Sequence, residues 1–162
     1  MSPRAACRLE SLGFTPIYDY VAGLADWTAN GLPTEGRLAS VLRAGDAVRQ
    51  DTPTCRVTER LGAAQERSKA AGQSVCIVTT ENGVVLGRIR GEALEGDAGM
   101  SIESVMEAGP TTIRPDTPLN EYTEHMRAMR VGSILVTTST GRLLGILHRQ
   151  DAEKKLGSST TT

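Results

Sequence analysis

The sequence predicts a mixed α/β (α+β) fold in which one β-α-β-β-α unit occurs twice. The first observation is an internal repeat: Thr54–Ala93 aligns without a gap on Thr112–Asp151, at a constant spacing of 58 residues. The second is a strand–turn–strand pattern at the same place in each copy, and the third is a helix-forming segment ahead of it. Since neither copy has enough apolar surface to fold securely alone, we expect the two copies to pack against each other.

The repeat rests on 11 identical residues among the 40 aligned positions. These residues, each with its counterpart 58 positions later, are Thr54, Arg56, Leu61, Glu66, Ala70, Val78, Thr79, Thr80, Gly83, Leu86 and Gly87. Unrelated segments would share far fewer residues in one register, so we interpret the two segments as copies of one structural unit.

Each copy predicts an extended segment, a helix, a hairpin and a final helix. The extended segments are "TCRV" and "TIRP", and the final helices are expected near Glu92 and Asp151. The hairpins pair Val75–Thr80 with Val84–Ile89 around Asn82-Gly83, and Ser133–Thr138 with Arg142–Leu147 around Gly141. The helix of the second copy carries Leu119, Tyr122, Met126 and Met129 on one face, where the first copy has Leu61, Ala64, Ser68 and Ala71.

Composition excludes several classes of partner. A net charge of −1 and a pI near 6.1 give no reason to expect nucleic acid or an anionic membrane surface as a partner. No apolar run is long enough to span a bilayer, and the N-terminus does not read as a secretion signal. The three cysteines, Cys7, Cys55 and Cys76, form no CxxC pair, so we interpret them as small buried hydrophobic residues in a reducing, cytoplasmic protein.

This doubled order of elements resembles a tandem pair of cystathionine-β-synthase-type (CBS) domains, also called a Bateman module. The resemblance implies a pseudo-twofold pair of repeats, a non-catalytic regulatory role and a homodimer. It also implies an adenosine-containing ligand (AMP, ADP, ATP or S-adenosylmethionine) in the cleft between the repeats, with no required cofactor. We expect an N-terminal extension at 1–36, CBS repeats at 37–99 and 100–157, and a disordered tail at 158–162.

The family's ligand motif is a glycine, two apolar residues, Thr or Ser, two variable residues and Asp. In the second copy it falls on Gly145–Asp151, with His148 in place of the hydroxyl residue. A carboxylate such as Asp151 accepts hydrogen bonds from ribose hydroxyls, and Arg149 lies beside the free amides of a helix start, where phosphate binds. The predicted ligand-binding residues are therefore Thr112, Ile113, Gly132, Ser133, Ile134, His148, Arg149 and Asp151.

The first copy predicts a degraded second site. Its motif runs from Gly87 to Ala93, so the acid has become alanine, although Arg90 retains a charge. The residues of this weaker site would be Thr54, Cys55, Val75 and Arg90.

A purely structural interpretation of these polar residues stays open. An Asp in the first turn of a helix stabilises that helix without any ligand, and His148 is explained as an exposed strand end. His125 lies on a polar helix face without a second His or a Cys nearby, so we predict no metal site.

The first 36 residues lie outside the repeat and are similar to the closing segment of rhodanese-like domains, with "GF", a tryptophan helix and "GLP". We expect α-β-α order here: a helix end at Gly13, a strand at Ile17–Tyr20 and a helix at Ala25–Ala29. The aromatic residues Phe14, Tyr18, Tyr20 and Trp27 are expected to pack on the repeat pair as structural residues. The alternative, Trp27 stacking on adenine, stays open.

The sequence is consistent with three functions. The first is a nucleotide sensor acting on an unknown protein partner, and the second is a dimerisation or docking module that binds no ligand. The third, a sulfurtransferase that uses Cys7, ranks last because Cys7 lies in a helical pattern without a glycine-rich loop.

Overall fold

A computed structural model of the chain describes residues 3–36 and 39–159, and it confirms the mixed α/β fold with two sheets. The helices are α1 (Pro3–Ser11), α2 (Gly23–Ala29), α3 (Leu61–Ala70), α4 (Ile102–Val105), α5 (Leu119–Ala128) and α6 (Arg149–Ser159). The strands are β1 (Thr54–Arg56), β2 (Val75–Thr79), β3 (Val85–Arg90), β4 (Glu107–Ala108), β5 (Thr112–Ile113), β6 (Ser133–Thr137) and β7 (Leu143–His148). Two 3-10 turns occupy Ala44–Ala47 and Gly91–Glu95.

Each repeat builds one sheet around a parallel strand pair and an antiparallel hairpin. The first sheet has the order β1-β2-β3-β4 and the second β5-β6-β7, with β1–β2 and β5–β6 parallel. Leu61 and Leu119, which are equivalent in the repeat, begin helices α3 and α5 and are both fully buried. Burying such a leucine contributes about 1.5–3 kcal/mol, so the matched helix faces stabilise each repeat.

The two repeats meet at their hairpin turns. Val84 and Arg142, which are 58 residues apart, form a bridge with each other. The amide of Val85 donates to the carbonyl of Gly141 at 3.0 Å, and the amide of Leu143 donates to the carbonyl of Gly83 at 2.9 Å. Because equivalent residues contact each other, the repeats are related by a pseudo-twofold axis through this bridge.

A small apolar cluster lies between the sheets of the two repeats. It consists of Ile77 from the first repeat with Leu135 and Ile146 from the second, all buried. Predicted packing of one copy on the other is therefore confirmed.

The segment that precedes each repeat completes the sheet of the other repeat. We call residues 43–49 the N-linker and residues 101–108 the mid-linker. In the N-linker, Arg49 bridges Ile146 of β7; in the mid-linker, Glu107 pairs with Arg88 of β3. Both members of these two pairs differ by 58 residues, so the exchange is symmetric.

The predicted boundaries at 37–99 and 100–157 stay predictions. The exchanged linkers place part of each predicted range on the sheet of the other repeat. The predicted tail begins inside α6, which runs to Ser159, and residues 160–162 lie outside the described residues.

Three local predictions were wrong. The final helix of the first copy near Glu92 is the short 3-10 turn Gly91–Glu95, whereas the second copy forms the full helix α6. Met129 is 63% exposed, and the buried face of α5 carries Thr123, whose hydroxyl donates to the carbonyl of Leu119 at 2.6 Å. The hydroxyl is tolerated there because this bond within the helix satisfies it.

Cys55 and Cys76 are buried as predicted, but Cys7 is exposed on α1.

The N-terminal extension differs most from expectation. Residues 17–20 form no strand, and Phe14 and Tyr18 are 59% and 80% exposed, so the prediction that they pack on the repeats was wrong. Trp27 and Tyr20 pack edge-to-face on each other with ring centroids 5.1 Å apart. A cavity of about 160 Å³ lies between the end of α2, the N-linker and the second repeat. Within the described ranges, no helix combines the length and apolar character that crossing a bilayer requires.

Candidate functional site

A cleft of about 560 Å³ brings residues of both repeats together; we call it the inter-repeat cleft. The first repeat supplies Arg88 and Arg90 from the end of β3. The second repeat supplies the side of α5 and the start of β6, with the lining residues Thr111, Tyr122, His125, Met126, Met129, Arg130, Val131, Gly132, Ser133 and Ile134. The first repeat therefore contributes two cations, and the second contributes apolar and aromatic groups together with Arg130.

A second hollow, of about 420 Å³, adjoins the cleft at Gly132 and Ser133; we call it the α6 hollow. Its other lining residues are Arg49, His148, Arg149 and Gln150.

The register of the second hairpin explains why distant residues meet in this hollow. Ser133 at the start of β6 is the partner of His148 at the end of β7. The amide of Arg149 then donates to the carbonyl of Gly132 at 2.9 Å, which fixes the start of α6 beside β6. Four predicted residues, Gly132, Ser133, His148 and Arg149, are thus brought together by one hairpin.

The guanidinium of Arg149 lacks a full set of acceptors. Its Nε atom is buried and has no hydrogen-bond acceptor among the described residues, while Glu153 Oε1 lies 3.9 Å away. That same oxygen already accepts a hydrogen bond from Arg127 Nε at 2.8 Å. The rest of the Arg149 side chain is partly exposed and lines the α6 hollow, so its guanidinium can donate charge-assisted hydrogen bonds to an anion there.

Asp151, the predicted ribose-binding acid, is engaged by the N-linker. Arg49 donates from Nε to Asp151 Oδ2 at 2.6 Å and from Nη2 to Oδ1 at 2.9 Å. This bidentate bond with Arg49 lowers the pKa of Asp151 below its ordinary value and raises the pKa of Arg49. Asp151 therefore stays anionic, and each carboxylate oxygen keeps a second lone pair that can accept a hydrogen bond from a ligand.

In the first repeat, the equivalent linker carries the opposite charge. Glu107 accepts hydrogen bonds from Arg88 Nε at 2.8 Å and Arg90 Nε at 3.2 Å. The bond from Arg88, followed by that from Arg90, lowers the pKa of Glu107 below its ordinary value. Both arginines of the inter-repeat cleft are thus held by one exposed carboxylate.

The motif glycines allow the linkers to pass close to the sheets. A Cβ atom on Gly145 would lie 2.8 Å from the carbonyl carbon of Arg49, and its φ of +147° is also one that disfavours other residues. A Cβ atom on the equivalent Gly87 would lie 2.9 Å from the carbonyl oxygen of Glu107. The close approach of the linkers therefore explains why both positions are glycine, independently of any ligand.

The remaining predicted residues lie elsewhere. Ile134 lines the inter-repeat cleft, but Thr112, Ile113 and Asp151 line neither hollow. Thr112 pairs with Leu135, and Ile113 packs on the core of the second repeat.

Of the residues predicted for the weaker site, Val75 and Arg90 are register partners at the end of the first hairpin, but the four residues do not line a single hollow. Thr54 and Cys55 line a separate polar cleft of about 630 Å³ in the first repeat, Val75 packs on the cluster between the sheets, and Arg90 belongs to the inter-repeat cleft.

Sequence reasoning missed Arg49, Arg88 and Glu107. A signal was present, because extending the 58-residue spacing backwards aligns Arg49 with Glu107 and shows that the charge is reversed. His125, predicted as solvated surface, is exposed but lines the cleft beside Tyr122, with ring centroids 5.5 Å apart.

Comparison with known proteins supports the tandem interpretation. Residues 102–158 match the family model of the CBS domain. No curated protein matches the chain at a significant level. The predicted resemblance of the first 36 residues to rhodanese-like domains stays a prediction.

Solved structures of CBS pairs share the fold of both repeats. The CBS-pair protein CBSX2 from Arabidopsis thaliana has a TM-score of 0.66 and 16% identity, covering 75% of this chain and 99% of that one. A structure of CBSX2 in complex with AMP has a TM-score of 0.63 and 18% identity, covering 73% and 98%. The cytosolic domain of the Mg²⁺ channel MgtE in complex with ATP has a TM-score of 0.63 and 20% identity, covering 73% of this chain and 51% of that one. The chain thus spans about half the length of that channel domain, and it has the fold of a tandem CBS pair.

Proposed function

We propose that the chain is a non-catalytic regulatory module that binds an adenine nucleotide in the inter-repeat cleft and the α6 hollow. The observation that carries this proposal is the convergence of Arg88 and Arg90 from one repeat with His148 and Arg149 from the other, around two hollows that share Gly132 and Ser133. Two neighbours of the same fold are described as complexes with AMP and with ATP, which supports a nucleotide as the ligand.

The charges favour a phosphorylated ligand. Five arginines, Arg49, Arg88, Arg90, Arg130 and Arg149, line the two hollows, whereas the carboxylates in contact with them are Asp151, Glu107 and Glu153. Arginine binds phosphate with paired, charge-assisted hydrogen bonds. AMP, ADP or ATP therefore fits these residues better than S-adenosylmethionine, whose sulfonium group is cationic.

Each part of the nucleotide has a counterpart in the site. Arg149, which lines the α6 hollow, would receive a phosphate oxygen. Asp151 does not line either hollow, but it is bonded to Arg49 of the α6 hollow, and its second lone pairs would accept bonds from ribose hydroxyls. Tyr122 and Ile134 supply an aromatic and an apolar surface for the base.

Calorimetric titration with AMP, ADP, ATP and S-adenosylmethionine tests the proposal. The expected result is saturable binding of at least one phosphorylated nucleotide. Arg149→Gln and Arg90→Gln should weaken it by about tenfold each, because a charge-assisted bond contributes about 1.5–3 kcal/mol. Lys69→Gln, which removes a cation from an exposed position on α3 outside both hollows, is the matched control and should leave binding unchanged.

A second candidate, a docking module that binds no ligand, is favoured by one observation: both oxygens of Asp151 already accept bonds from Arg49. In that case no nucleotide registers in the titration, and Asp151→Asn lowers the stability of the unliganded protein. Under the nucleotide proposal, the same variant loses binding in addition. Dimerisation and a cytoplasmic location stay predictions.

A further inference from the structure

The N-terminal extension contains an aromatic cleft of about 650 Å³, separate from the inter-repeat cleft. Its walls include Tyr18, Tyr20, Leu24 and Trp27, with Glu35 and Arg43 also lining it. None of these residues lines the inter-repeat cleft or the α6 hollow. The nucleotide proposal therefore leaves this cleft without a role.

Two of the rings are fixed by hydrogen bonds at their polar ends. The hydroxyl of Tyr20 donates to Asp26 Oδ2 at 2.5 Å, and the indole Nε1 of Trp27 donates to the carbonyl of Pro33 at 2.8 Å. The rings stand at 88° to each other, so they form a corner whose orientation is set before anything binds. Since the polar groups of Tyr20 and Trp27 are satisfied within the extension, what these two rings offer to the cleft is apolar surface.

The apolar surface continues beyond the cleft. Leu12, Phe14, Val21 and Leu32 are exposed by 38% to 90%. In residues 39–159, by contrast, the large apolar side chains exposed to a comparable degree are Met100 and Met129. A concentration of exposed apolar side chains in one short segment is typical of a surface that another molecule covers.

The charge of this segment indicates what kind of molecule covers it. Residues 12–36 include Asp19, Asp26 and Glu35 and contain neither Lys nor Arg. Among the described residues that line the cleft, the cation is Arg43; its Nη1 donates to the carbonyl of Asp116 at 2.7 Å, and its amide donates to Asp46. An aromatic corner within an acidic segment attracts a cation, because ring faces carry negative electrostatic potential.

We propose that the aromatic cleft docks a basic, apolar segment of a partner protein, with a Lys or Arg side chain on the faces of Trp27 and Tyr18. The exposed surface from Leu12 to Leu32 is larger than a small cation would cover, which favours a peptide over a free ammonium compound. Alternating apolar and basic residues would satisfy the apolar surface and the acidic charge together.

Trp27 is the chain's single tryptophan, so its fluorescence reports directly on this cleft. The probes are three short peptides in which leucine alternates with arginine, glutamate or glutamine. The leucine–arginine peptide should change the emission saturably, whereas the leucine–glutamate peptide should not. Tyr18→Ala and Glu35→Gln should weaken binding by about threefold to tenfold, the range expected for an exposed cation–π contact or ion pair.

Met100→Ala removes an exposed apolar side chain outside the extension and is the matched control; it should bind like the wild type. Tyr18 is 80% exposed, so its replacement should leave the fold intact, which circular dichroism would verify.

Three results would overturn the proposal. Equal binding of all three peptides would show that charge has no part in recognition. An emission change produced by AMP and absent with peptide would make the cleft a nucleotide site. A dimer in sedimentation that Leu24→Asp converts to a monomer, without any peptide response, would identify a second copy of the chain as the occupant. The first and third results would leave the nucleotide proposal for the inter-repeat cleft unaffected.

Discussion

At the end of β3, the mid-linker presents Glu107 to Arg88 and Arg90, and at the end of β7 the N-linker presents Arg49 to Asp151. The linker positions are equivalent in the repeat, yet the charges are reversed. Where the second repeat has the acid Asp151, the first has Ala93. The comparison shows that the equivalent linker position forms an ion pair in both copies, with a base facing an acid on α6 in one and an acid facing two bases on β3 in the other. Because of that difference, the end of β3 carries two cations, and these face the second repeat across the inter-repeat cleft.

The largest expected difference between the repeats concerns the motif glycines. Gly145→Ala should destabilise the protein by about 3 kcal/mol, since it combines a backbone collision with Arg49 and an unfavourable φ. Gly87→Ala meets Glu107 at 2.9 Å without the unfavourable φ and should cost about 1 kcal/mol. Urea denaturation measures both. Gly157→Ala, where an added Cβ meets no atom within 4 Å, is the control. Equal losses at Gly87 and Gly145 would contradict this asymmetry.

The reversed charge predicts a gain of function at Glu107, provided that the nucleotide proposal holds. Glu107→Gln should raise the affinity for a phosphorylated nucleotide by about threefold to tenfold, because Arg88 and Arg90 no longer have a competing carboxylate. Calorimetric titration measures the change, with Glu103→Gln on α4 as the matched loss of one exposed carboxylate. A lower affinity in Glu107→Gln would mean that Glu107 positions the arginines for the ligand instead of competing with it.

A pH-dependent contribution to stability is expected from one ion pair of the first repeat that has no counterpart at the equivalent positions of the second. Arg67, and then the amide of Arg56, lower the pKa of Glu59 from 4.5 to about 2. The second repeat has Thr117 and His125 at the positions of Glu59 and Arg67. Because the folded-state pKa is depressed, this stabilisation is complete above pH 4.5 and is lost as the pH falls towards 2.

Glu59→Gln should therefore cost about 1 kcal/mol at neutral pH after allowance for solvent screening. The difference from the wild type should shrink between pH 4.5 and 2. Denaturation at a series of pH values measures this, and Glu66→Gln on α3, the helix that carries Arg67, is the control. A difference that is constant over this range would exclude the ion pair as its cause.

The smallest expected effect concerns an arginine that is identical in both copies. Arg114 donates to Thr137 Oγ1 at 2.7 Å and to the carbonyl of Thr138, whereas Arg56 lies 3.4 Å from the exposed Glu81. Arg114→Ala should cost about 0.5–1 kcal/mol and Arg56→Ala less than about 0.5 kcal/mol in urea denaturation. The reverse order would show that sequence identity, and not the observed contacts, predicts the role of this residue.

Local patterns were sufficient to predict the repeats. The hairpins form where Gly83 and Gly141 permit a positive φ, and Leu61 and Leu119 are buried as the helical spacing indicates. These features depend on residues close together in the chain, so a single sequence reveals them.

The exchange of the linkers was not predicted, because it is a long-range contact. Nothing in the residues around Arg49 indicates that its partner strand begins about a hundred positions later. For the same reason, the sequence predicted that Asp151 lies at the start of α6 but did not predict its bond to Arg49.

Burial of the N-terminal aromatics was wrongly predicted from composition. Tyr20 and Trp27 satisfy their polar groups within the extension, and this local arrangement does not require contact with the repeats. Aromatic content alone does not reveal such hydrogen bonds, so it could not predict that these rings stay partly exposed.

The exchanged linkers also determine which fragments of the chain could exist independently. A piece beginning after residue 50 would lose the strand partner of Ile146, and β7 would then present unpaired amide and carbonyl groups along an open sheet edge. Such an edge pairs with strands of other chains. Cutting this protein between its two copies would therefore produce fragments that associate, and not two separate folded units.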